Sequence, residues 1–299
     1  MTRTIELYVP AITPFTQDLS VDTGRFVDHC QALLAAGAHG LAPFGTTSEA
    51  ASLTLAERMT ALEALIAAGI DPVRLIPGTG CPAVGDCVTL SKHATELGCR
   101  GTLVLPPFYY KNVPEDGVFD AYARMIDAVA DDRLRVYLYH IPQMSGVPIT
   151  LGLIERLMTA FPGIIAGLKD SSGDWENTRA VIDAFPDLAT YSASESLIPR
   201  NAARGGAGCI SASANVNPAG IRRLIDALGT ESEATCHEQV SAVRTIFEGL
   251  PLIPAIKTAV AAQRNDVGFA TVRPPFVTMA DAHQAKIKEA VIAAGPQGA

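Results

Sequence analysis

Lysine is the residue type that can join a ketone covalently, and one lysine of this 299-residue sequence stands apart from the rest. Lys169 closes the apolar run Ile164-Ile165-Ala166-Gly167-Leu168. The other five, Lys92, Lys111, Lys257, Lys286 and Lys288, lie in helical or polar loop contexts, where a solvated ammonium is expected. Burial disfavours the charged form of an amine, and a neutral amine is the nucleophile that forms a Schiff base. A buried ion pair with Asp170 or Glu195 is the structural alternative. Tyr139 ends a second run, Tyr137-Leu138-Tyr139-His140-Ile141-Pro142. A phenol beside a carbonyl–amine reaction can shuttle protons, although an ordinary half-buried tyrosine has the same pattern. His140 falls on the opposite face of an extended strand and is expected to pack there. Gly45-Thr46-Thr47-Ser48-Glu49 offers N–H groups and hydroxyls to a small anion such as a carboxylate, or merely caps the next helix.

These residues follow short apolar runs that alternate with longer amphipathic stretches, the pattern of repeated βα units. Strands are predicted at 7–12, 40–44, 74–77, 101–105, 135–139, 164–168, 188–191 and 208–210. Helices are predicted at 22–36, 55–68, 84–97, 117–130, 151–160, 175–184, 196–204 and 218–228. Thr54 with Glu57 three residues on reads as a capping box. Eight strand–helix units in this length match a closed (β/α)8 TIM barrel of the α/β class, spanning residues 1–230. A doubly wound sheet would show a Gly-x-Gly-x-x-Gly turn after the first strand, and none is there. Helical patterns at 231–247, 252–263 and 280–293 predict that residues 231–299 form a C-terminal α-helical extension packed on the barrel. Active sites of such barrels form at the C-terminal ends of the strands, where all the residues above fall. There too lies Gly205-Gly206-Ala207-Gly208-Cys209-Ile210-Ser211-Ala212-Ser213-Ala214-Asn215, whose glycines allow close backbone approach. Phosphate is an alternative ligand at that place, but no Arg/Lys cluster accompanies it in sequence.

Composition narrows the partners. With 48% hydrophobic and 18% charged residues the chain is globular. Its net charge of −8 lacks the basic footprint that nucleic acid requires. No apolar run approaches the roughly 20 residues of a membrane span, and Glu6 stands where a signal peptide would be apolar. A cytoplasmic protein is expected. The cysteines Cys30, Cys81, Cys87, Cys99, Cys209 and Cys236 form no Cys-x-x-Cys pair, so they are expected as buried hydrophobes with no metal site.

In chain order these segments resemble the dihydrodipicolinate synthase / N-acetylneuraminate lyase family of pyruvate-dependent class I aldolases. The resemblance runs from Ile12-Thr13-Pro14-Phe15 to Arg273-Pro274-Pro275-Phe276. It is carried by Gly45-Thr46-Thr47-x-Glu49, Tyr139-x-x-Pro142-x-x-x-Gly146, Lys169-Asp170 and Gly208-x-Ile210-Ser211. It implies that Lys169 forms the imine with pyruvate or another 2-oxo acid and that Tyr139 relays protons. It also implies that Thr46 and Thr47, with Gly45, hold the pyruvate carboxylate and pass the proton chain on. Tyr110 resembles the tyrosine that family members insert into a neighbouring subunit, which implies a homo-oligomer, a dimer or a dimer of dimers. Ile210 would offer a backbone carbonyl near the imine. No metal or organic cofactor is implied, because the iminium is itself the electron sink.

The departures bear on the substrate. Where dihydrodipicolinate-forming synthases carry an arginine that grips the second carboxylate, this chain has Met144, which cannot make a bidentate pair. The acidic pair of the sialate lyase branch is half matched by Glu195-Ser196. Leu55 and Pro82 stand at the synthases' lysine-feedback positions, and Ser48 replaces a glycine that is free to adopt positive φ. The resemblance thus implies a Schiff-base lyase joining or releasing pyruvate and a hydroxylated aldehyde: a 2-keto-3-deoxy-sugar-acid or hydroxy-oxo-acid aldolase or dehydratase. The alternatives are 4-hydroxy-tetrahydrodipicolinate synthase (pyruvate plus aspartate semialdehyde), a non-catalytic barrel that binds a 2-oxo acid, and a phosphosugar isomerase.

Overall fold

The computed structural model describes residues 3–295, so the outermost residues of the divisions 1–230 and 231–299 lie outside it. The chain forms two compact units, Glu6–Ile70 with Ile210–Ala299 and Met1–Ile5 with Asp71–Cys209.

In the first unit β1 (Glu6–Val9) and β2 (Gly40–Leu41) pair in parallel, with Tyr8 opposite Gly40. Between them α1 (Thr23–Ala35) buries Phe26, His29, Cys30 and Leu33, one stripe of a 3.6-residue period. The next helix, α2 (Leu55–Ala67), starts on the predicted capping box. Thr54 Oγ1 accepts from Glu57 N at 3.2 Å, and the Glu57 carboxylate accepts from Thr54 N at 2.8 Å. Such a cap stabilises by about 1 kcal/mol.

The second unit follows with α3 (Val84–Glu96), β3 (Thr102–Val104), α4 (Glu115–Val129), β4 (Val136–His140), α5 (Pro142–Ser145) and α6 (Leu151–Ala160). It continues through β5 (Ile165–Asp170), α7 (Trp175–Ala184), β6 (Ala189–Ser192), α8 (Ile198–Ala203) and β7 (Gly208–Ile210), whose last residue opens the remaining segment of the first unit. From β3 to β7 each strand pairs in parallel with the next. Parallel strands are covered on both faces, and β4 is accordingly buried at every position.

One expected strand, 74–77, does not form. Pro72–Arg74 closes a 3₁₀ turn instead, with Leu75 N donating to Pro72 O at 2.9 Å. Beyond it Leu103 N donates to Pro77 O (2.8 Å) and Thr79 N donates to Leu103 O (3.0 Å), giving one isolated parallel bridge between Gly78 and Leu103. The next donor back along that ladder would be residue 77, a proline with no N–H. The described residues therefore contain seven parallel strands alternating with helices, an α/β architecture.

The first unit is completed by α9 (Pro218–Ala227), α10 (Glu233–Ile246), α11 (Leu252–Arg264) and α12 (Asp281–Ala294). Val243 and Phe247 at the end of α10, Ile256 and Val260 of α11, and Ile287 of α12 share one core with Ile12, just beyond β1. The helices predicted from periodicity appear within two residues of their expected ends, while the short α5 had no periodic signal.

Candidate active site

Strand register puts three large polar side chains in one row of the second unit. Tyr139 of β4 pairs with Lys169 of β5, and Lys169 pairs with Tyr191 of β6. Side chains of parallel neighbours in register share a face. Lys169 Nζ donates to Tyr139 Oη at 3.3 Å and stands 4.3 Å from the centre of that ring. Both residues are buried, at 4% and 3% exposure. Gly167, two residues before the lysine, is what lets Tyr137 lie across the strand, since a Cβ there would meet the Tyr137 ring at 2.5 Å.

Asp170 faces away, as alternation along a strand demands. Its carboxylate accepts from Ser172 N, from Asn177 Nδ2 and from Thr178 Oγ1, each at 2.8 Å, the last two on α7. The alternative ion pair with Lys169 is thus replaced, and among the described residues Lys169 makes no ion pair. His140 shares the outward face: its Nδ1 accepts from Ile149 N at 3.0 Å. Burial holds the His140 imidazole below its ordinary range, against the opposing pull of Asp170. It packs, as expected.

The loops of this unit carry the other predicted residues. Met144 lies on α5, which starts at Pro142 and is capped by Gly146 with φ +64°, and it is 60% exposed. Tyr110 is 74% exposed and sits edge-to-face with Tyr109, centroids 5.3 Å apart. Lys111 Nζ donates to Ser145 O at 2.7 Å and also to Phe108 O, which ties the tyrosine loop to the end of α5. Glu195 is buried at the start of the 3₁₀ turn Glu195–Leu197, just after β6.

In the first unit, Gly45-Thr46-Thr47-Ser48-Glu49 is a compact double turn. Ser48 N and Ala50 N donate to Gly45 O, and Glu49 N donates to Thr46 O. Thr47, Ser48 and Glu49 are all buried. The serine at the glycine position is accommodated, because positive φ falls on Phe44 and Glu49 instead. Ser48 Oγ donates to Ala11 O at 2.6 Å, and Ser48 O accepts from Thr13 Oγ1 at 2.8 Å. Ile210, at the end of β7, is buried, and beside it Ser211 Oγ accepts from Arg244 of α10 at 3.0 Å. That arginine is 33 residues away in sequence, so no local window shows it.

Lys257 corrects the expectation that every lysine but Lys169 is solvated. It sits on α11 with no exposed side-chain surface and donates to Glu49 Oε1 at 2.5 Å and to Thr13 O at 2.8 Å. Burial pushes its ammonium down to about 8, against the opposite pull of Glu49. Glu49 Oε2 also accepts from Arg273 N at 2.9 Å. Arg273 in turn pairs with Glu57 and stacks 4.5 Å over the Phe15 ring, which holds the Glu57 carboxyl down to about 2. Of the six cysteines five are buried and Cys236 is half-buried. Among the described residues no His/Cys/Asp/Glu group is placed to hold a metal ion, and no helix is long and apolar enough to cross a membrane.

The profile of the dihydrodipicolinate synthetase family matches residues 4–294. A protein of Chloroflexus aurantiacus named an uncharacterized DapA-like lyase is 37% identical over 281 residues, 93% of each chain. The crystal structure of dihydrodipicolinate synthase from Agrobacterium tumefaciens str. C58 matches with a TM-score of 0.89 at 30% identity, over 97% of this chain and 99% of that one. A variant of Sulfolobus solfataricus 2-keto-3-deoxygluconate aldolase matches with a TM-score of 0.85 over 96% and 95%, at 22% identity, a likeness of fold.

Proposed function

Because this chain belongs to the dihydrodipicolinate synthetase family, whose members are pyruvate-dependent lyases, we propose that it makes and breaks carbon–carbon or carbon–oxygen bonds of a 2-oxo acid through an imine on Lys169. The observation that carries this reading is the buried Lys169 amine 3.3 Å from the Tyr139 hydroxyl, with Asp170 turned to α7. The amine attacks C2 of the oxo acid, and the carbinolamine loses water as Tyr139 moves the proton. Cleavage of the C3–C4 bond sends its electron pair into the iminium, while the C4 hydroxyl gives its proton to the Tyr139 oxygen and the C4 fragment leaves as an aldehyde. Protonation of the enamine at C3 and hydrolysis release pyruvate. In the dehydratase variant the iminium instead draws a proton from C3, and the enamine so formed expels the C4 hydroxyl, which takes up that proton and leaves as water. Thr46 and Thr47, with Gly45, hold the carboxylate; Ile210 offers its carbonyl near the imine. No metal or organic cofactor takes part.

For the second component the reading is a hydroxylated aldehyde, making the enzyme a 2-keto-3-deoxy-sugar-acid or hydroxy-oxo-acid aldolase or dehydratase. Met144 supports it, since a thioether cannot grip a carboxylate, and Glu195 is the candidate for sugar hydroxyls. The named synthase at 30% identity favours the second reading, condensation of pyruvate with aspartate semialdehyde. The proposal includes a (β/α)8 barrel with a C-terminal helical extension, supported by the 0.89 TM-score. It also includes a cytoplasmic homo-oligomer joined in part through the exposed Tyr110. Borohydride trapping with pyruvate, followed by peptide mapping, tests the core of this reading. A pyruvate adduct on Lys169 supports it, and none on folded protein with excess pyruvate removes it. Cleavage of 2-keto-3-deoxy acids against consumption of aspartate semialdehyde then decides between the two acceptors.

A further inference from the structure

Glu49 holds a left-handed backbone, φ 58°, at the end of the 45–49 loop. A residue other than glycine stays there when its surroundings over-determine it, and here the surroundings form a closed ring. Lys257 Nζ binds Glu49 Oε1 and Thr13 O, while Thr13 Oγ1 binds the carbonyl of Ser48, the peptide immediately before Glu49. Contacts thus pass from α11 to the segment beyond β1, on to the loop, and back. Neither charged side chain is exposed, and the ammonium lies 4.3 Å from the centre of the Phe15 ring. A packed apolar pair could fill the same space without desolvating two charges. The ion pair adds direction, which packing does not.

We infer that Lys257 is a positioning residue for oxo-acid binding: by fastening Glu49 and Thr13 it sets the turn in which Thr46 and Thr47 present hydroxyls and N–H groups to the substrate carboxylate. The inference rests on the reading of that loop as the carboxylate cradle. Lys257 acts through Glu49 and not on the substrate.

The probes are pyruvate and its uncharged counterpart pyruvamide, and the readout is borohydride trapping on Lys169 against ketone concentration. In Lys257→Met the half-saturating pyruvate concentration is expected to rise about tenfold, with the maximal trapping rate changed less than about threefold and pyruvamide unaffected. Lys257→Arg, which keeps the charge, is expected to retrieve part of the loss. Glu49→Gln serves as the second variant if Lys257→Met fails to fold, with a shift in the same direction. Equal losses for both ketones, or a lowered melting temperature with unchanged half-saturation, overturn the positioning role and leave a purely structural ion pair. Thr46→Val separates this proposal from the reading beneath it. A raised pyruvate half-saturation in Thr46→Val, with none in the folded Lys257 and Glu49 variants, sinks the positioning role alone. No effect in Thr46→Val sinks the cradle and the positioning role together. No adduct in the parent protein removes the imine, and this proposal with it.

Discussion

Among the described residues two lysines are buried, and each holds its nitrogen 4.3 Å from the centre of an aromatic ring: Lys169 over Tyr139, Lys257 over Phe15. Their polar partners differ. Lys169 faces a phenol, and the carboxylate beside it in sequence is occupied by α7. Lys257 faces a carboxylate at 2.5 Å. An amine beside a phenol can give up its proton and attack a ketone without breaking an ion pair; an amine matched to a buried carboxylate cannot. Burial alone therefore does not mark a nucleophile, and the partner does.

Substitution breaks the comparison most directly at the nucleophile. Lys169→Ala is expected to lower turnover by about 10⁴-fold or more and to abolish the borohydride adduct. Turnover within tenfold of the parent would end the distinction between the two lysines. The stability effects should run the other way. Lys257→Ala strands Glu49 as a buried charge and is expected to lower unfolding stability by about 3–5 kcal/mol. Lys169→Ala leaves no such charge and should change it by less than about 1 kcal/mol by that same argument. Urea midpoints of the two variants, measured side by side, check both values. Tyr139→Phe removes one hydroxyl and keeps the ring under Lys169, so kcat is expected to fall about 10²- to 10³-fold while the adduct still forms. An unchanged kcat would leave Tyr139 a packing residue.

Acid sharpens the contrast with the smallest effect. Arg273 holds the Glu57 carboxyl down to about 2 from its ordinary 4.5, and burial pushes His29 down to about 4 from 6.5. In both windows the unfolded chain binds more protons than the folded one, so stability falls as pH falls from 6.5 to 4 and again from 4.5 to 2. With its partial exposure allowed for, Glu57 contributes about 1–2 kcal/mol. Glu57→Gln is expected to flatten the lower window of a pH–midpoint profile, and a profile superposing on the parent's would mean that the Arg273 pair stabilises nothing.

Much of this was readable from the chain, for local reasons. Apolar periodicity marks the helices because each buries one stripe, and Thr54 with Glu57 marks a start because both halves of the cap lie within one turn. Lys169 stood out because a charge closes an apolar strand run. Lys257 did not, because a lysine within a helical pattern has the same appearance whether it faces solvent or core. Its partner Glu49 lies 208 residues away, beyond any local window. The strand expected at 74–77 failed for a backbone reason: apolarity was right, but Pro77 has no donor for the ladder. Tyr191 was legible only as strand, and its place beside Lys169 came from register.

The outward turn of Asp170 also limits how this sequence can evolve. Lys169 and Asp170 divide their tasks by parity along β5, one serving the row with Tyr139 and the other fastening α7. Inserting or deleting one residue within β5 ahead of Lys169 would exchange the two faces, turning the carboxylate toward the phenol and the amine toward the helix. The length of β5 is thereby held as firmly as the identities of Lys169 and Asp170 themselves.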